Sequence, residues 1–487
     1  MPASFQPSGV EYLRFLPEII LSLFGILVMI LEAMMRPEAK RTSLGGIAVV
    51  GLIAAFLANI WAGQNGGPAF SNMIVVDDYG TFFRGLVLVV GILCVLTSFS
   101  YLERERAQAG EYYSLILFSI VGQCVLATAT DLIMVFIGLE ISSIATYILA
   151  GFLRDDRRNN ESALKYFLLG SFATAFLLYG IAWIYGLTGS TNLEQIRSAL
   201  DQGSQPVLLA GLAAGLLFVG FAFKVSVVPF QMWAPDVYQG AAAPVSAFMS
   251  AGPKAAAFAV FFRVFMVSFH PLNGRWIWLV WGCALATMLV GNFAALLQTN
   301  VKRLLGYSSI AHAGYVLVAL AASSQIGIAA AMFYLASYAL MNIGAFAVIS
   351  HIAARHERHV KIDDLAGLGR REPVTAALLA VFVFSLIGVP LTGGFFGKLY
   401  VFQAALNSHL VWLTVLGLIN SAIAAYYYLR IIVAIYMRDP NEAMGQLAPP
   451  ATSLKVAIWA SALGVLILGI FPGTLLSFAS SSAALLR

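Results

Sequence analysis

Fourteen apolar stretches, each long enough to cross a bilayer, follow one another along 487 residues. A helix rises about 1.5 Å per residue, so about 20 apolar residues cross the hydrocarbon core. The spans are predicted at 15–35, 44–63, 80–101, 112–129, 131–153, 162–187, 206–240, 243–269, 276–298, 302–322, 326–353, 374–407, 409–437 and 453–478. This pattern predicts an all-α polytopic membrane protein with about 14 transmembrane helices. Composition agrees: 60% of residues are hydrophobic, 10% are charged, and the mean hydropathy is +0.86. The longest polar connection, Arg355 to Glu372, is too short to fold alone. Nothing is left over for a soluble domain.

The net charge of +5 is distributed by side and does not form a basic face for nucleic acid. The loops after odd-numbered spans, together with the first three residues of the spans that follow them, hold 17 lysines and arginines, against four (Arg14, Arg197, Arg275 and Arg487) on the opposite side. Cytoplasmic loops carry such an excess. The bias places the odd-numbered loops in the cytoplasm and both termini outside, which is periplasmic in the bacterial inner (plasma) membrane expected for this chain. The N-terminus lacks a basic leader region and a small-residue cleavage site, so it reads as an uncleaved first span. Cys94, Cys124 and Cys283 all lie in apolar segments, without a CxxC pair or a Cys/His cluster. Neither an iron–sulfur cluster nor a zinc site is expected, and no dinucleotide or phosphate loop is present.

Two spans are too long. Residues 206–240 and 374–407 run to 35 and 34 residues, and both carry helix breakers: Pro229 and Pro235 in one, Pro390, Gly393, Gly394 and Gly397 in the other. Each has a lysine next to its break, Lys224 and Lys398. Overlong, interrupted segments at matching positions point to discontinuous helices in an internal repeat. They are spans 7 and 12, an odd offset, so the two copies run in opposite directions. The expected organisation is an N-terminal three-helix segment (1–111), a first repeat of helices 4–8 (112–270), an inverted second repeat of helices 9–13 (275–437) and a C-terminal helix 14 (438–487).

Four charged residues lie deep in these spans: Glu140, Lys224, Lys254 and Lys398. Each costs about 2.5–3.5 kcal/mol at the bilayer centre even on lenient scales, so each needs a partner or a polar path. Lysine shifts its proton affinity readily on burial, which makes these positions stations for a mobile proton. Glu140 reads either as a structural glutamate locking two helices or as a partner that holds Lys224 charged and releases it on separation. Lys254, just after Pro253, is too deep in span 8 to snorkel. Lys165, four residues after Glu161, reads equally as a topology device or as a proton uptake point. His312, in YSSIAHAGY, reads as a core histidine or as a relay between the two lysine sites. Arg84, Arg263 and Arg430 are expected to snorkel or to be structural. Gly211 and Gly215 form a GxxxG expected to pack a helix pair, and tryptophans and tyrosines near span ends read as interfacial anchors.

FIGLEISSIATYIL around Glu140, ESALKYFLLGSF at 161–172, FKVSVVPFQMWAPDVYQGAAAPV at 223–245, SAGPKAAAF at 250–258 and GVPLTGGFFGKLYVF at 388–402 carry a resemblance. Together they resemble the antiporter-like membrane subunits of proton-pumping NADH:quinone oxidoreductase, respiratory complex I. The resemblance covers essentially the whole chain. It is strongest to the subunit N branch, because no lateral helix follows span 14 and Lys398 stands where subunit M typically has a glutamate. The resemblance implies two inverted five-helix repeats. It assigns Glu140 as pairing glutamate, Lys224 as switching lysine, Lys254 as connecting lysine and Lys398 as exit-side lysine. It also implies neighbours in the membrane arm (subunits A, H, J, K, L and M). No cofactor is expected in this chain: NADH, FMN, iron–sulfur clusters and quinone belong to partner subunits. A subunit of a multisubunit cation/proton antiporter has the same fold and charges and stays open. A scaffold that pumps nothing would have little reason to keep four mid-membrane charges.

Overall fold

The computed structural model describes residues 7–36, 39–107, 109–203, 205–440 and 449–484. Each predicted span has its helix. A short α1 (Gly9–Arg14) leads into α2 (Leu16–Met34), α3 (Thr42–Gln64) and α4 (Asp78–Glu105). Five crossings follow: α5 (Gly110–Thr128), α6 (Leu132–Ala150), α7 (Arg157–Thr188), then after the short α8 (Leu193–Asp201) the pair α9 (Val207–Lys224) and α10 (Trp233–Gly240), and α11 (Ala243–Arg263). Five more are α12 (Asn273–Leu296), α13 (Val301–Ala321), α14 (Gln325–Ile352), the pair α16 (Pro373–Ile387) and α17 (Gly393–Asn407) after a one-turn α15 (Leu368–Arg371), and α18 (Val411–Met437). The last crossing is α19 (Thr452–Ile470), followed by α20 (Pro472–Ala483). Arg487, counted in the charge bias, lies outside the described residues.

Both overlong spans are broken, with Pro229 and Pro390 in the gaps, whereas Pro235 lies in the first turn of α10 and Gly393, Gly394 and Gly397 lie within α17. α9 stops at Lys224; Ser226 takes a left-handed φ of 62°, and Pro229 has no N–H to continue a helix. α16 stops at Gly388, whose φ of 94° favours glycine, and Pro390 lies in the gap before α17. The last predicted span is also interrupted. Pro472 starts a new helix, so residues 453–478 are not one element, and α20 turns aside to pack on α14 and α4. The sequence reading also missed α8 and a hairpin of β1 (Gly67–Ala69) and β2 (Ile74–Val76).

Almost every residue of α11, α13 and α14 is buried, so these three helices form the centre. Glycine brings α5 and α6 into close contact: a Cβ on Gly122 would lie 2.5 Å from the Gly138 carbonyl. That crossing fixes the face on which Glu140, two residues later, is held. A Cβ at Gly211 or Gly215 would meet nothing within 4 Å, so the GxxxG packs on no helix among the described residues. The aromatic expectation holds only in part. Trp278 and Trp412 are exposed on the apolar surface, but Trp233, Tyr166, Tyr315, Tyr334 and Tyr428 are wholly buried.

Two isolated backbone bridges recur at a fixed interval. Asp131 pairs with Asn192, and Asn300 pairs with Lys361; the second bridge lies 169 residues after the first at both ends. Asp131 caps α6 and Asn300 caps α13.

Candidate functional site

Six cations are buried among the described residues: Arg84, Lys224, Lys254, Arg263, Lys302 and Lys398. Three have a carboxylate. Arg84 lies 2.6 Å from Glu18, Arg263 makes two bonds of 2.8 and 2.9 Å to Asp77, and Lys302 lies 2.5 Å from Glu357. Arg84 and Arg263 are thus structural ion pairs and do not snorkel, while Arg430 donates to the Leu296 carbonyl at 2.7 Å. The other three, Lys224, Lys254 and Lys398, have no carboxylate oxygen within 4.0 Å among the described residues.

Lys224 ends α9, and its Nζ lies over the rings of Tyr147 and Tyr166 at 5.1 and 5.3 Å. Tyr166 stacks on Trp233, with centroids 4.4 Å apart, and the Trp233 indole donates to the Phe223 carbonyl at 2.9 Å. Rings from α6 and α7 thus flank the lysine at the break, with Trp233 of the second half-helix backing one of them, and each such cation–ring contact is worth about 0.5–2 kcal/mol. Glu140 acts on Lys224 electrostatically but does not touch it. Glu140 is half-buried on α6, near the exposed Ile137, Ile141 and Ile144 along the helix, and one of its carboxylate oxygens is buried with no hydrogen bond.

Lys254 lies in the fully buried α11, directly after the internal Pro253. Its Nζ donates to the carbonyl of Ser309 at 3.1 Å and to the Ser309 hydroxyl at 2.6 Å. Three residues further along α13, both nitrogens of His312 are bonded to phenols: Nδ1 to Tyr334 at 2.6 Å and Nε2 to Tyr428 at 3.1 Å. Tyr428 also shares a hydrogen bond with Ser308. His312 is close enough to feel the charges of both Lys254 and Lys398.

Lys398 sits on α17 but reaches back across the break. Its Nζ donates to the carbonyls of Leu386 and Ile387 at 3.0 and 2.8 Å and to Ser421 Oγ at 2.9 Å, and it lies 5.1 Å from the Tyr315 ring. Those carbonyls are the unpaired C-terminal groups of α16, the negative end of its dipole. The two lysines beside breaks are therefore not equivalent: one closes the first half-helix, and the other starts from the second.

Lys165 lies apart, half-exposed in a surface cluster. It is 2.7 Å from both Glu161 and Asp236, and Asp236 also takes Arg303 at 2.5 Å. Sequence reasoning missed Asp236, which joins α7, α10 and α13. The sequence sets Ser309 beside His312 but does not show that it receives Lys254, and it does not single out Ser421 or the buried tyrosines. Hydroxyl side chains inside apolar helices are common, and only the fold selects those that face a lysine. The three cysteines are free, and no group of three His, Cys, Asp or Glu side chains able to hold a metal occurs among the described residues.

A polytopic helical membrane protein with carboxylate-free lysines at two helix breaks and between them defines a class of ion-translocating membrane subunits. Residues 129–424 match the family described as "NADH:quinone oxidoreductase/Mrp antiporter, TM". The chain is 58% identical to NADH-quinone oxidoreductase subunit N 1 of Solibacter usitatus over all of both chains. It is 44% identical to NADH-quinone oxidoreductase subunit N of Trichlorobacter lovleyi over 97% of this chain and 96% of that one. A chain of respiratory complex I from Thermus thermophilus superposes with a TM-score of 0.80 at 34% identity, covering 95% of this chain and 99% of that one. A chain of the Mrp complex from Dietzia, 22% identical with a TM-score of 0.82 over 96% and 97%, shares the fold. The chain belongs to the NADH:quinone oxidoreductase/Mrp antiporter transmembrane family, in its subunit N branch.

Proposed function

We propose that this chain is a proton-translocating membrane-arm subunit of NADH-quinone oxidoreductase and carries protons through Glu140, Lys224, Lys254, His312 and Lys398. The observation that carries this reading is the division of the buried cations. Every buried cation with a structural setting has a carboxylate, whereas these three lysines rest on hydroxyls, carbonyls and aromatic rings. Neutral partners tolerate both the ammonium and the amine, so these side chains are free to exchange a proton. An opposite charge brought close to a buried lysine stabilises the ammonium, and its withdrawal favours the amine. Glu140, without a fixed partner, is the group to supply that change at Lys224. Lys254 passes the proton onward and His312 relays it between phenols. Lys398, held at a helix end, is the exit-side station. Lys165, with Glu161, is the uptake point on this reading.

The expected division of the chain into 1–111, 112–270, 275–437 and 438–487, with the two central units as inverted repeats, is supported by the paired breaks and the matched bridges at Asp131 and Asn300. The neighbours are complex I membrane subunits A, H, J, K, L and M. NADH, FMN, iron–sulfur clusters and quinone are held elsewhere in the complex. The chain lies in the bacterial inner membrane with both termini periplasmic. Likeness to a chain of an Mrp complex keeps a second reading, a cation/proton antiporter subunit. Inverted membrane vesicles decide between them. NADH oxidation should acidify the lumen, and Lys224→Met should abolish that acidification. Sodium-driven proton exchange that persists with the redox subunits removed would favour the antiporter.

A further inference from the structure

The two bridges fix a register between the halves of the chain. The step of 169 residues that carries Asp131 onto Asn300 and Asn192 onto Lys361 also carries Glu140 onto Ser309. Each is the ninth residue of its helix, counted from Leu132 and Val301. In the first half this place holds a half-buried glutamate, one of whose oxygens is buried without a hydrogen bond. In the second it holds a wholly buried serine that receives Lys254 from the first half through both of its oxygens.

We propose that Ser309 is a positioning residue for proton transfer, holding Lys254 in one place in both protonation states. This rests on Lys254 lying in the proton path. The chemistry follows from what each side chain can do. A carboxylate at 309 would face the ammonium in a low-dielectric interior and fix it charged. A hydroxyl accepts from the ammonium and, on rotating, donates to the lone pair of the amine. Lys254 therefore keeps a partner before and after it gives up its proton. The carbonyl of Ser309 anchors the side chain throughout. His312, one turn along α13, then stands on the same helix face as the delivery point. The groups around this contact are His312 from α13 itself, Tyr238 from α10 and Tyr338 from α14. No carboxylate oxygen lies within 4.0 Å of Lys254 among the described residues.

The test uses the intact complex in inverted native membranes, with Ser309→Ala, Ser309→Thr and Lys254→Met compared for assembled amount, NADH-driven proton pumping and the solvent deuterium isotope effect on coupled NADH oxidation. The expected result is normal assembly of Ser309→Ala, pumping reduced about tenfold, a raised isotope effect, and restoration by Ser309→Thr, which keeps the hydroxyl. If the alanine variant fails to accumulate, Ser309→Cys, similar in size with a weak hydrogen-bonding group, takes its place in the comparison. Wild-type pumping in Ser309→Ala alongside lost pumping in Lys254→Met would overturn the role of Ser309 and leave Lys254 in the path. Equal loss in the alanine and threonine variants would make the serine a packing residue and also overturn the proposal. Wild-type pumping in Lys254→Met would remove the underlying reading itself.

Discussion

The ammonium nitrogen of Lys398 lies 2.8 Å from the carbonyl oxygen of Ile387, which belongs to the other half of its broken span. The lysine thus replaces the amide donors that the end of α16 lacks. Removing it leaves the buried Leu386 carbonyl without a donor, at about 1–3 kcal/mol, and takes a donor from the half-buried Ile387 carbonyl. Lys398→Ala should lower the amount of assembled complex, whereas Lys398→Arg should assemble near normally. Both should lose at least about tenfold in coupled pumping, since arginine does not release its proton. Native-gel quantification separates assembly from pumping. Full pumping in the arginine variant would show that charge alone suffices at 398.

Glu140→Gln should behave differently. No ion pair is broken by the change, so assembly should match the unaltered complex. Pumping should fall, because an amide cannot offer Lys224 a negative charge. NADH-driven acidification of inverted vesicles, normalised to assembled complex, reads the outcome. An unaltered rate and proton yield would make Glu140 a structural residue.

Glu18→Gln tests the opposite kind of charge. It leaves Arg84 fully buried with no counter-charge, at a cost of about 3–5 kcal/mol. The complex should unfold at a lower temperature and accumulate less. The fraction that does assemble should pump a normal number of protons per NADH, because the pair lies off the lysine path. Thermal inactivation and proton yield, measured on one preparation, separate the two effects. A reduced proton yield at normal stability would place Glu18 in the path.

The charge bias predicts sidedness. A reporter active only in the cytoplasm should be active when inserted near Arg358 and silent when fused after Arg487. The reverse pattern would change the parity of the crossings, and the inverted relation of the two halves would go with it.

The sequence made the crossings legible because the bilayer imposes a length and a composition on each of them. Both breaks were legible as well, since proline and glycine act through the backbone whatever surrounds them. The chemistry was legible only in its charged members. Lys254 stands out in an apolar run by its cost, but Ser309, which receives it, lies 55 residues away and costs little in a helix. The tyrosines misled for a related reason. A phenol suits a membrane interface and a buried network equally, and only the packing of α7, α13 and α14 decides which. The apolar run of span 14 continues past Pro472 and hides the break, although proline is well suited to begin a new helix there.

One carboxylate on the side of the basic loops has a mechanical consequence. Glu357 takes Lys302 at the start of α13 and, at 2.8 Å each, the Ala243 amide at the start of α11 and the Tyr101 hydroxyl of α4. Three helices from different parts of the chain are thereby pinned at one end by a single side chain. α4 and α11 are fastened a second time at their far ends, where Arg263 holds Asp77 at the start of α4. Two clamps at opposite ends resist a relative rotation that a single pin would permit. Lys254, between them on α11, therefore sits on a braced element, and the partners that reach it must come to a fixed post.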